Sequence, residues 1–200
     1  MHSSTFPVGL ILLAAGASTR MGSPKQLLPY RGRSLLRYMA EVALASNCDP
    51  IVVVLGANSD RIRPTIADFP LHIIENNQWS EGMGGSIRTG VEQITRINQQ
   101  LDAMMVMLCD QPFVTASSLH QLIEAYQLHR SQVVASAYAN ILGVPALFSR
   151  ALFPDLLSLT ADVGAKVLIQ QYRDQVYAVP FPEGMIDLDT PEDYQQIRLR

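Results

Sequence analysis

A glycine-containing loop near the start of the chain has the residue types that bind a phosphate group. Residues 13–25 read LAAGASTRMGSPK. The loop contains Leu13 and several small residues, among them Ala14, Ala15, Gly16 and Gly22. Small residues let the main chain approach a ligand closely, and successive backbone N–H groups form a nest for an anion. Because Arg20 and Lys25 add positive charge there, the loop is predicted to hold a polyphosphate such as a nucleoside triphosphate.

Two well-known phosphate motifs do not fit this loop. The Walker pattern requires Lys directly after its second Gly, whereas two residues separate Gly22 from Lys25. The dinucleotide fingerprint G-x-G-x-x-G also fails, since no glycine follows Gly16 at the required spacing. A structural turn with incidental surface cations is therefore an alternative, because short glycine motifs also match by chance.

Two aspartates are candidate ligands for a divalent cation. Asp110 follows an apolar run, where a carboxylate faces a ligand crevice more readily than a core, and Asp189 closes a short segment predicted to be extended. Mg²⁺ prefers one or two carboxylates together with phosphate oxygens. Asp187, two residues before Asp189, lies on the same face of an extended segment and is an alternative ligand. Asp110 is also explained as a turn residue. Asp189 is also explained by its place directly before a helix start, with Thr190 as the cap.

A glycine-rich segment after the third predicted strand is a further candidate for ligand contact. Residues 82–86 read GMGGS and open a predicted helix, whose free N–H groups would meet ribose or phosphate oxygens. Met83 is as well explained by packing. Trp79, the only tryptophan, is a candidate for stacking on an aromatic ring of a ligand, and burial in a loop core explains it equally well.

Apolar strands and amphipathic helices alternate along most of the chain. Strands are predicted at 8–13, 51–55, 71–74, 103–108 and 132–137, and helices at 34–45, 83–97 and 117–129. Prolines punctuate the last 60 residues, where we expect helices at 149–157, 162–172 and 191–198 and extended segments at 176–179 and 185–188. This alternation predicts an α/β fold of three layers, with a mostly parallel sheet covered on both faces. In such sheets ligands bind where the strand order reverses, at the carboxyl ends of the strands.

Composition and charge exclude several classes of protein. The 200 residues are 48% hydrophobic and 16% charged, which is too apolar for a disordered chain. The net charge of -3 argues against nucleic-acid binding. Five basic residues precede the first acidic residue, Glu41. That local excess favours a small polyanionic ligand.

We also expect a cytoplasmic protein with no membrane partner. No apolar run reaches the roughly 20 residues of a membrane-spanning helix. Residues 8–17 have the length of a signal-peptide core, but no Lys or Arg precedes them, so a strand entering a loop is the better interpretation. The two cysteines, Cys48 and Cys109, are too few for a disulfide framework.

Four ordered motifs resemble those of the molybdenum-cofactor nucleotidyltransferases. Residues 13–25, preceded by Leu12, match the signature loop LAAGxSxRMGxxK, residues 77–83 with Ser86 the base and ribose segment, residues 110–112 the metal motif, and residues 187–193 the C-terminal acidic motif. The resemblance extends from about residue 8 to residue 193. It implies a Rossmann-like nucleotidyltransferase fold of the nucleotide-diphospho-sugar transferase type. It also implies a single domain over 1–200, with nucleotide binding in 8–140 and acceptor binding in 141–200.

The resemblance also implies an activity. In this family LAAG, rather than LAGG, accompanies cytidylyl transfer, so Ala15 favours CTP. The implied reaction transfers CMP from CTP to molybdopterin or the molybdenum cofactor and releases pyrophosphate, with Mg²⁺ as cofactor. Lys25, Arg20 and Asp110 are the implied catalytic residues, and Asp110 and Asp189 the metal ligands. The implied substrate-binding residues are Leu13, Ala14, Ala15, Gly16, Gly22, Gly82, Met83, Ser86, Asp162 and Lys166.

The chain departs from the family pattern in its C-terminal part. The family's Gly-Asp-x-Gly-Ala-Arg corresponds to residues 161–166, where Lys166 replaces the arginine, and its Gly-His-Pro corresponds to residues 143–145, which lack the histidine. Asp162 is also explained as a helix cap. The alternatives are a nucleotidyltransferase using another nucleotide or a sugar or alditol phosphate, and a non-catalytic protein that delivers the cofactor to a molybdoenzyme or its maturation factor.

Overall fold

The computed structural model of the chain describes residues 6–198. Within them the strands are β1 (Val8–Ala14), β2 (Pro29–Tyr30), β3 (Arg33–Ser34), β4 (Ile51–Leu55), β5 (His72–Glu75), β6 (Ala103–Leu108), β7 (Val133–Tyr138), β8 (Ile141–Ser149) and β9 (Val176–Pro180). The α-helices are α1 (Leu35–Leu44), α2 (Ser59–Ile62), α3 (Met83–Ile97), α4 (Ala116–His129), α5 (Phe153–Leu157), α6 (Lys166–Gln171) and α7 (Pro191–Arg198). The predicted strands and helices before residue 140 are all present, with ends shifted by one residue or not at all.

The main sheet has seven strands in the order β5-β4-β1-β6-β8-β7-β9. Strands β5, β4, β1 and β6 run parallel to their neighbours, β8 runs antiparallel to both β6 and β7, and β9 is parallel to β7. The strand order therefore reverses beside β1: the chain moves outward through β4 and β5 and then returns to place β6 on the other side. The carboxyl ends of β1 and β6 meet at this reversal.

Strand β8 was not predicted, and its proline explains why. A proline inside a strand argues against a central position, because it has no N–H for the ladder. The pairing of β7 with β8 shifts after Ala135, from Ala135 with Ala146 to Ser136 with Gly143, so Pro145 lies outside the regular ladder. The Ser136 hydroxyl donates to the Pro145 carbonyl at 2.7 Å. This irregularity admits the proline without the loss of a ladder hydrogen bond.

Helices cover both faces of the sheet, as predicted. Along β1 the side chains alternate: Leu10 and Leu12 pack into a core with α1 and α4, and Ile11 and Leu13 into a second core with α3, α5 and α6. Residues 8–14 of the apolar stretch that resembled a signal-peptide core thus form an interior strand, buried throughout, and residues 15–17 enter the loop. Within residues 6–198, no helix is both long enough and apolar enough to cross a membrane.

Three expectations for the C-terminal part were wrong in detail. Helix α6 begins at Lys166 and not at 162, so Asp162 does not cap it; its carboxylate instead accepts a hydrogen bond from the Thr160 hydroxyl at 2.9 Å. Residues 149–152 belong to the end of β8 and a 3₁₀ turn, and not to a helix. The extended segment expected at 185–188 is shorter, because Met185 ends a 3₁₀ turn that begins at Pro182, whereas Ile186 is extended.

Candidate active site

The loop after β1 faces a crevice at the carboxyl edge of the sheet. The main chain turns through a 3₁₀ segment at Thr19–Met21, with left-handed residues on either side, Ser18 (φ 56°) and Gly22 (φ 72°). A second 3₁₀ turn at Lys25–Leu27 points the loop's lysine back toward the end of β6. The sequence therefore forms a loop that ends with a cation beside Asp110.

Lys25 forms ion pairs with both predicted metal ligands. Its Nζ lies 2.5 Å from Oδ2 of Asp110 and 3.2 Å from Oδ1 of Asp189. Burial lowers the pKa of the ammonium, but the two carboxylates outweigh that effect, so the pKa of Lys25 is raised above its ordinary value. The lysine is therefore protonated at neutral pH and holds the two carboxylates together.

The second carboxylate reaches the site through a single main-chain contact. The Leu188 N–H donates to the Asp110 carbonyl at 2.9 Å. This contact sets the segment 187–189 against the end of β6, and Arg20 holds the other oxygen of Asp189 at 2.8 Å. Thr190 and Asp193 then exchange hydrogen bonds at the start of α7, as the helix-start interpretation required. Asp189 thus meets the crevice directly before a capped helix, and the two interpretations are compatible.

Asp187 lies at the edge of the same crevice. Its partial burial, followed by the nearby charge of Asp110, raises the pKa of the Asp187 carboxyl to about 6. The partial burial of Tyr138 itself, followed by the charge of Asp187, raises the pKa of the Tyr138 hydroxyl. The proximity of three aspartates therefore concentrates negative charge on one wall of the crevice, opposite the cationic loop.

The start of α3 packs closely against the loop that precedes α6. A Cβ atom at Gly82 would lie 2.2 Å from the Ala161 carbonyl oxygen, and one at Gly84 would lie 2.0 Å from that of Thr160. The Gly84 N–H donates to the Ala161 carbonyl at 2.9 Å. This N–H is therefore not free for a ligand, in contrast to the expectation for this segment.

Two adjoining cavities lie at this end of the molecule. A cavity of about 480 Å³, the nucleotide crevice, is lined by residues of the loop, the start of α3, Trp79 and the three aspartates. A cavity of about 570 Å³, the second cavity, is lined chiefly by residues 138–144, 162–166, Met185 and Asp187. Leu13, Met83, Leu108 and Asp187 line both. Two ligands, one in each cavity, would therefore meet at this shared wall.

The predicted site residues divide between these cavities. The nucleotide crevice is lined by Leu13, Ala14, Ala15, Gly16, Arg20, Lys25, Gly82, Met83, Ser86, Asp110 and Asp189. Asp162 and Lys166 instead line the second cavity. Gly22 lines neither cavity, and its left-handed conformation ends the 3₁₀ turn. Trp79 faces the nucleotide crevice, so contact with a ligand and packing are both consistent with its position.

Two buried polar residues that shape the crevice were not predicted from the sequence. The amide group of Gln26 donates to the carbonyls of Ala14 and Gly16. Asn76 donates to the Ser86 hydroxyl at 3.0 Å and so fixes a side chain that lines the crevice. Neither residue belongs to a recognisable motif; only the rarity of fully buried amide side chains marks them, and burial is not visible in a sequence.

The carboxylates fit a divalent cation that shares its ligands with a substrate. Oδ1 of Asp110 is buried and accepts no hydrogen bond within the described part of the chain. Over residues 6–198 no group of three or more His, Cys, Asp or Glu side chains is arranged to hold a metal ion. A cation at Asp110 and Asp189 would thus take its remaining ligands from phosphate oxygens or water, as Mg²⁺ commonly does.

Comparison with known proteins identifies the family. A sequence profile of the MobA-like NTP transferase domain matches residues 10–176. The chain belongs to this family. It is a nucleotidyltransferase of the MobA-like type, as the four motifs indicated.

Relatives and solved structures agree over nearly the whole length. Nicotine blue oxidoreductase of Paenarthrobacter nicotinovorans is 34% identical over 170 residues, which is 80% of each chain. Purine catabolism protein PucB of Bacillus subtilis is 27% identical over 200 residues, 94% of each chain. The crystal structure of Rv0371c from Mycobacterium tuberculosis superposes with a TM-score of 0.84 at 28% identity, covering 98% of this chain and 100% of that one. A structure of Rv0371c complexed with manganese superposes with a TM-score of 0.78 at 28% identity, covering 96% and 97%. Divalent-metal binding thus occurs among proteins of this fold.

Proposed function

We propose that the protein transfers CMP from CTP to the terminal phosphate of molybdopterin, or of its molybdenum-loaded form, and releases pyrophosphate. The observation that carries the proposal is the pair of adjoining cavities: one holds a cationic glycine loop opposite three aspartates, and the other shares one of these aspartates, Asp187, with it. Such a geometry suits two anionic substrates that must react with each other. The motifs that resemble molybdenum-cofactor nucleotidyltransferases support the choice of acceptor.

In the proposed reaction an acceptor phosphate oxygen attacks the α-phosphorus of CTP. A new P–O bond forms, the bond from the α-phosphorus to the bridging oxygen breaks, and its electron pair leaves with pyrophosphate. Because the acceptor oxygen is already anionic, no residue has to remove a proton. Nucleotidyl transfer of this kind depends on alignment and on charge neutralisation.

The residues of the nucleotide crevice supply both the alignment and the charge neutralisation. In this proposal the main-chain N–H groups of residues 15–17 bind the triphosphate, while Lys25 and Arg20 neutralise charge on the α- and β-phosphates. Asp110 and Asp189 hold Mg²⁺, which offsets the negative charge shared by the two substrates. Gly82, Met83 and Ser86 contact the base or ribose, and Gly22 contributes by shaping the loop.

The second cavity is the proposed acceptor site, within the part of the chain after residue 140. Lys166 is its cation, and a lysine offers a point charge where the family's arginine offers a planar fork. Leu13 and Met83 from the first half also line it, so the proposed division at residue 140 separates the roles incompletely. We propose Ala15 as the residue that favours cytosine, on the basis of the LAAG motif.

Pyrophosphate release tests the proposal. CTP, GTP and ATP would each be incubated with the protein and Mg²⁺ or Mn²⁺, with and without molybdopterin. We expect release from CTP that depends on molybdopterin. A preference for GTP would overturn the base assignment, and turnover with a sugar phosphate alone would overturn the acceptor.

A second candidate function is oxidoreduction, because the relative at 34% identity carries the name nicotine blue oxidoreductase. The lysine and carboxylates of the crevice suit charged phosphates better than electron transfer. A colour change of nicotine blue catalysed by this protein, without pyrophosphate release from any nucleotide, would favour the oxidoreductase.

A further inference from the structure

Gln26 is a buried amide whose hydrogen bonds all go to the phosphate loop. Its exposed fraction is 1%. Nε2 donates to the Ala14 carbonyl at 2.8 Å and to the Gly16 carbonyl at 2.9 Å, and Oε1 accepts from the Ser18 hydroxyl at 3.4 Å. Because both close partners of Nε2 are carbonyl oxygens, the amide nitrogen must be the donor. The side chain therefore links three residues of one loop.

These hydrogen bonds determine the direction in which the loop's N–H groups point. Across a planar trans peptide the C=O and the following N–H point in opposite directions. Because Gln26 holds the Gly16 carbonyl, the N–H of Ala17 points away from Gln26. Because Gln26 also holds the Ala14 carbonyl, the N–H of Ala15 likewise points away from Gln26. The Ala15 carbonyl is held separately, by the Ala57 N–H at 3.0 Å. Three successive carbonyls are therefore fixed by protein donors.

The loop borders open space in the nucleotide crevice. Gly16 and Ala17 line the nucleotide crevice, and a Cβ atom at Gly16 would meet nothing within 4 Å. Ser18, the third partner of Gln26, accepts a hydrogen bond from the Lys25 N–H at 3.0 Å. Gln26 thus braces the turn from Gly16 to the lysine that contacts Asp110.

We propose that Gln26 is a positioning residue that orients the main-chain N–H groups of Ala15 and Ala17 toward the phosphates of the nucleotide. This inference rests on the proposed function, because it takes the anion in the crevice to be a nucleoside triphosphate. Gln26 borders the crevice but is only 1% exposed, so it is proposed to act through the backbone of the loop and not through contact with the substrate. Its contribution therefore scales with the number of phosphates bound, and not with the base.

Two variants test the inference by calorimetric titration of CTP, CMP and cytidine in the presence of Mg²⁺. Gln26→Glu keeps the shape of the side chain and removes both donors, and Gln26→Met removes them without adding charge. We expect the Kd for CTP to rise on the order of tenfold in each, for the loss of two buried hydrogen bonds. The Kd for cytidine should stay within about twofold, since a nucleoside lacks the phosphates that the loop orients. Gln121→Met, an exposed glutamine on α4, is the control and should bind all three ligands as the wild type does.

The outcomes separate this inference from the proposed function. A wild-type protein that binds no nucleoside triphosphate would overturn both. Wild-type binding with an unchanged CTP affinity in both Gln26 variants would overturn only the role of Gln26. Equal losses for CTP and cytidine would show a general structural effect and would also overturn that role. Thermal unfolding of each variant identifies one that fails to fold, and the other variant then decides.

Discussion

The replacement of Lys25 by methionine tests whether one ammonium holds the two carboxylates of the crevice together. Methionine keeps the length and the apolar stem of the side chain and removes the charge. In the wild type that charge lies 2.5 Å from Asp110 and 3.2 Å from Asp189. The variant leaves both carboxylates without this partner, and Asp110 loses the only hydrogen bond seen to its side chain within residues 6–198.

The expected loss of stability follows from the burial of the pair. The side chains of Lys25 and Asp110 are 15% and 18% exposed. Removing one partner of a fully buried pair costs about 3 to 5 kcal/mol, and an exposed pair contributes at most about 1 kcal/mol. We expect about 2 kcal/mol for this largely buried pair, and hence a fall in Tm of about 4 to 8 °C for a chain of this size.

Thermal unfolding without divalent cations, and again with Mn²⁺, measures this effect. The control is Arg96→Met, which removes an exposed cation near the end of α3. Added Mn²⁺ should raise the Tm of Lys25→Met more than that of the wild type, because the lysine no longer competes for the carboxylates. A Tm for Lys25→Met equal to that of Arg96→Met, with or without the metal, would refute the reasoning.

The pH dependence has a definite sign. The pKa of Lys25 is raised in the folded protein, so its stabilisation is complete below its ordinary value of about 10.5 and disappears only as the pH rises through the higher folded value. The Tm difference between the wild type and Lys25→Met should therefore be constant from pH 7 to pH 10. A difference that shrinks across this range would contradict the ion pairs.

Two further variants separate stability from substrate binding. Arg20→Ala removes a guanidinium whose side chain is 68% exposed, so its pair with Asp189 should add less than about 1 kcal/mol to stability while the Kd for CTP rises; a large fall in Tm with unchanged CTP binding would be contrary to expectation. Gly84→Ala places a Cβ atom 2.0 Å from the Thr160 carbonyl oxygen, which should cost about 1 to 3 kcal/mol and raise the KM for the acceptor more than that for the nucleotide. Gly16→Ala, whose added methyl meets nothing within 4 Å, is the stability control for Gly84→Ala, and equal Tm values for the two would contradict the close packing at Gly84.

Hydrophobic periodicity predicts the parallel half of this fold well. Strands β1, β4 and β6 are continuous apolar runs because they are buried on both faces, and this pattern is visible in the sequence. Strand β8 is not predicted in this way, because its Gly143 and Pro145 are residue types that argue against a strand. The proline fits only through a shift in pairing with β7, the preceding strand of the same hairpin, and no residue pattern in the sequence marks this shift.

In the candidate site, some positions follow from neighbouring sequence and others depend on contacts between distant parts of the chain. The loop and Asp110 follow predicted strands directly, so their meeting at one edge of the sheet follows from topology. The approach of Asp189 depends on the contact between Leu188 and the Asp110 carbonyl, which no spacing in the sequence reveals. The partners of Arg33 and Arg37, two of the basic residues that precede Glu41, are also visible only in the structure. Arg33 pairs with Glu41, and Arg37 pairs with Asp68 at 2.7 Å.

The most direct test of the central claim is pyrophosphate release by Asp110→Asn. The amide keeps the shape of the side chain and removes the charge that is proposed to hold the metal and that pairs with Lys25. With CTP, Mg²⁺ and molybdopterin, we predict release by the wild type and a rate on the order of a hundredfold lower in the variant. Release by Asp110→Asn at the wild-type rate would contradict the assignment of this crevice as the site of nucleotidyl transfer.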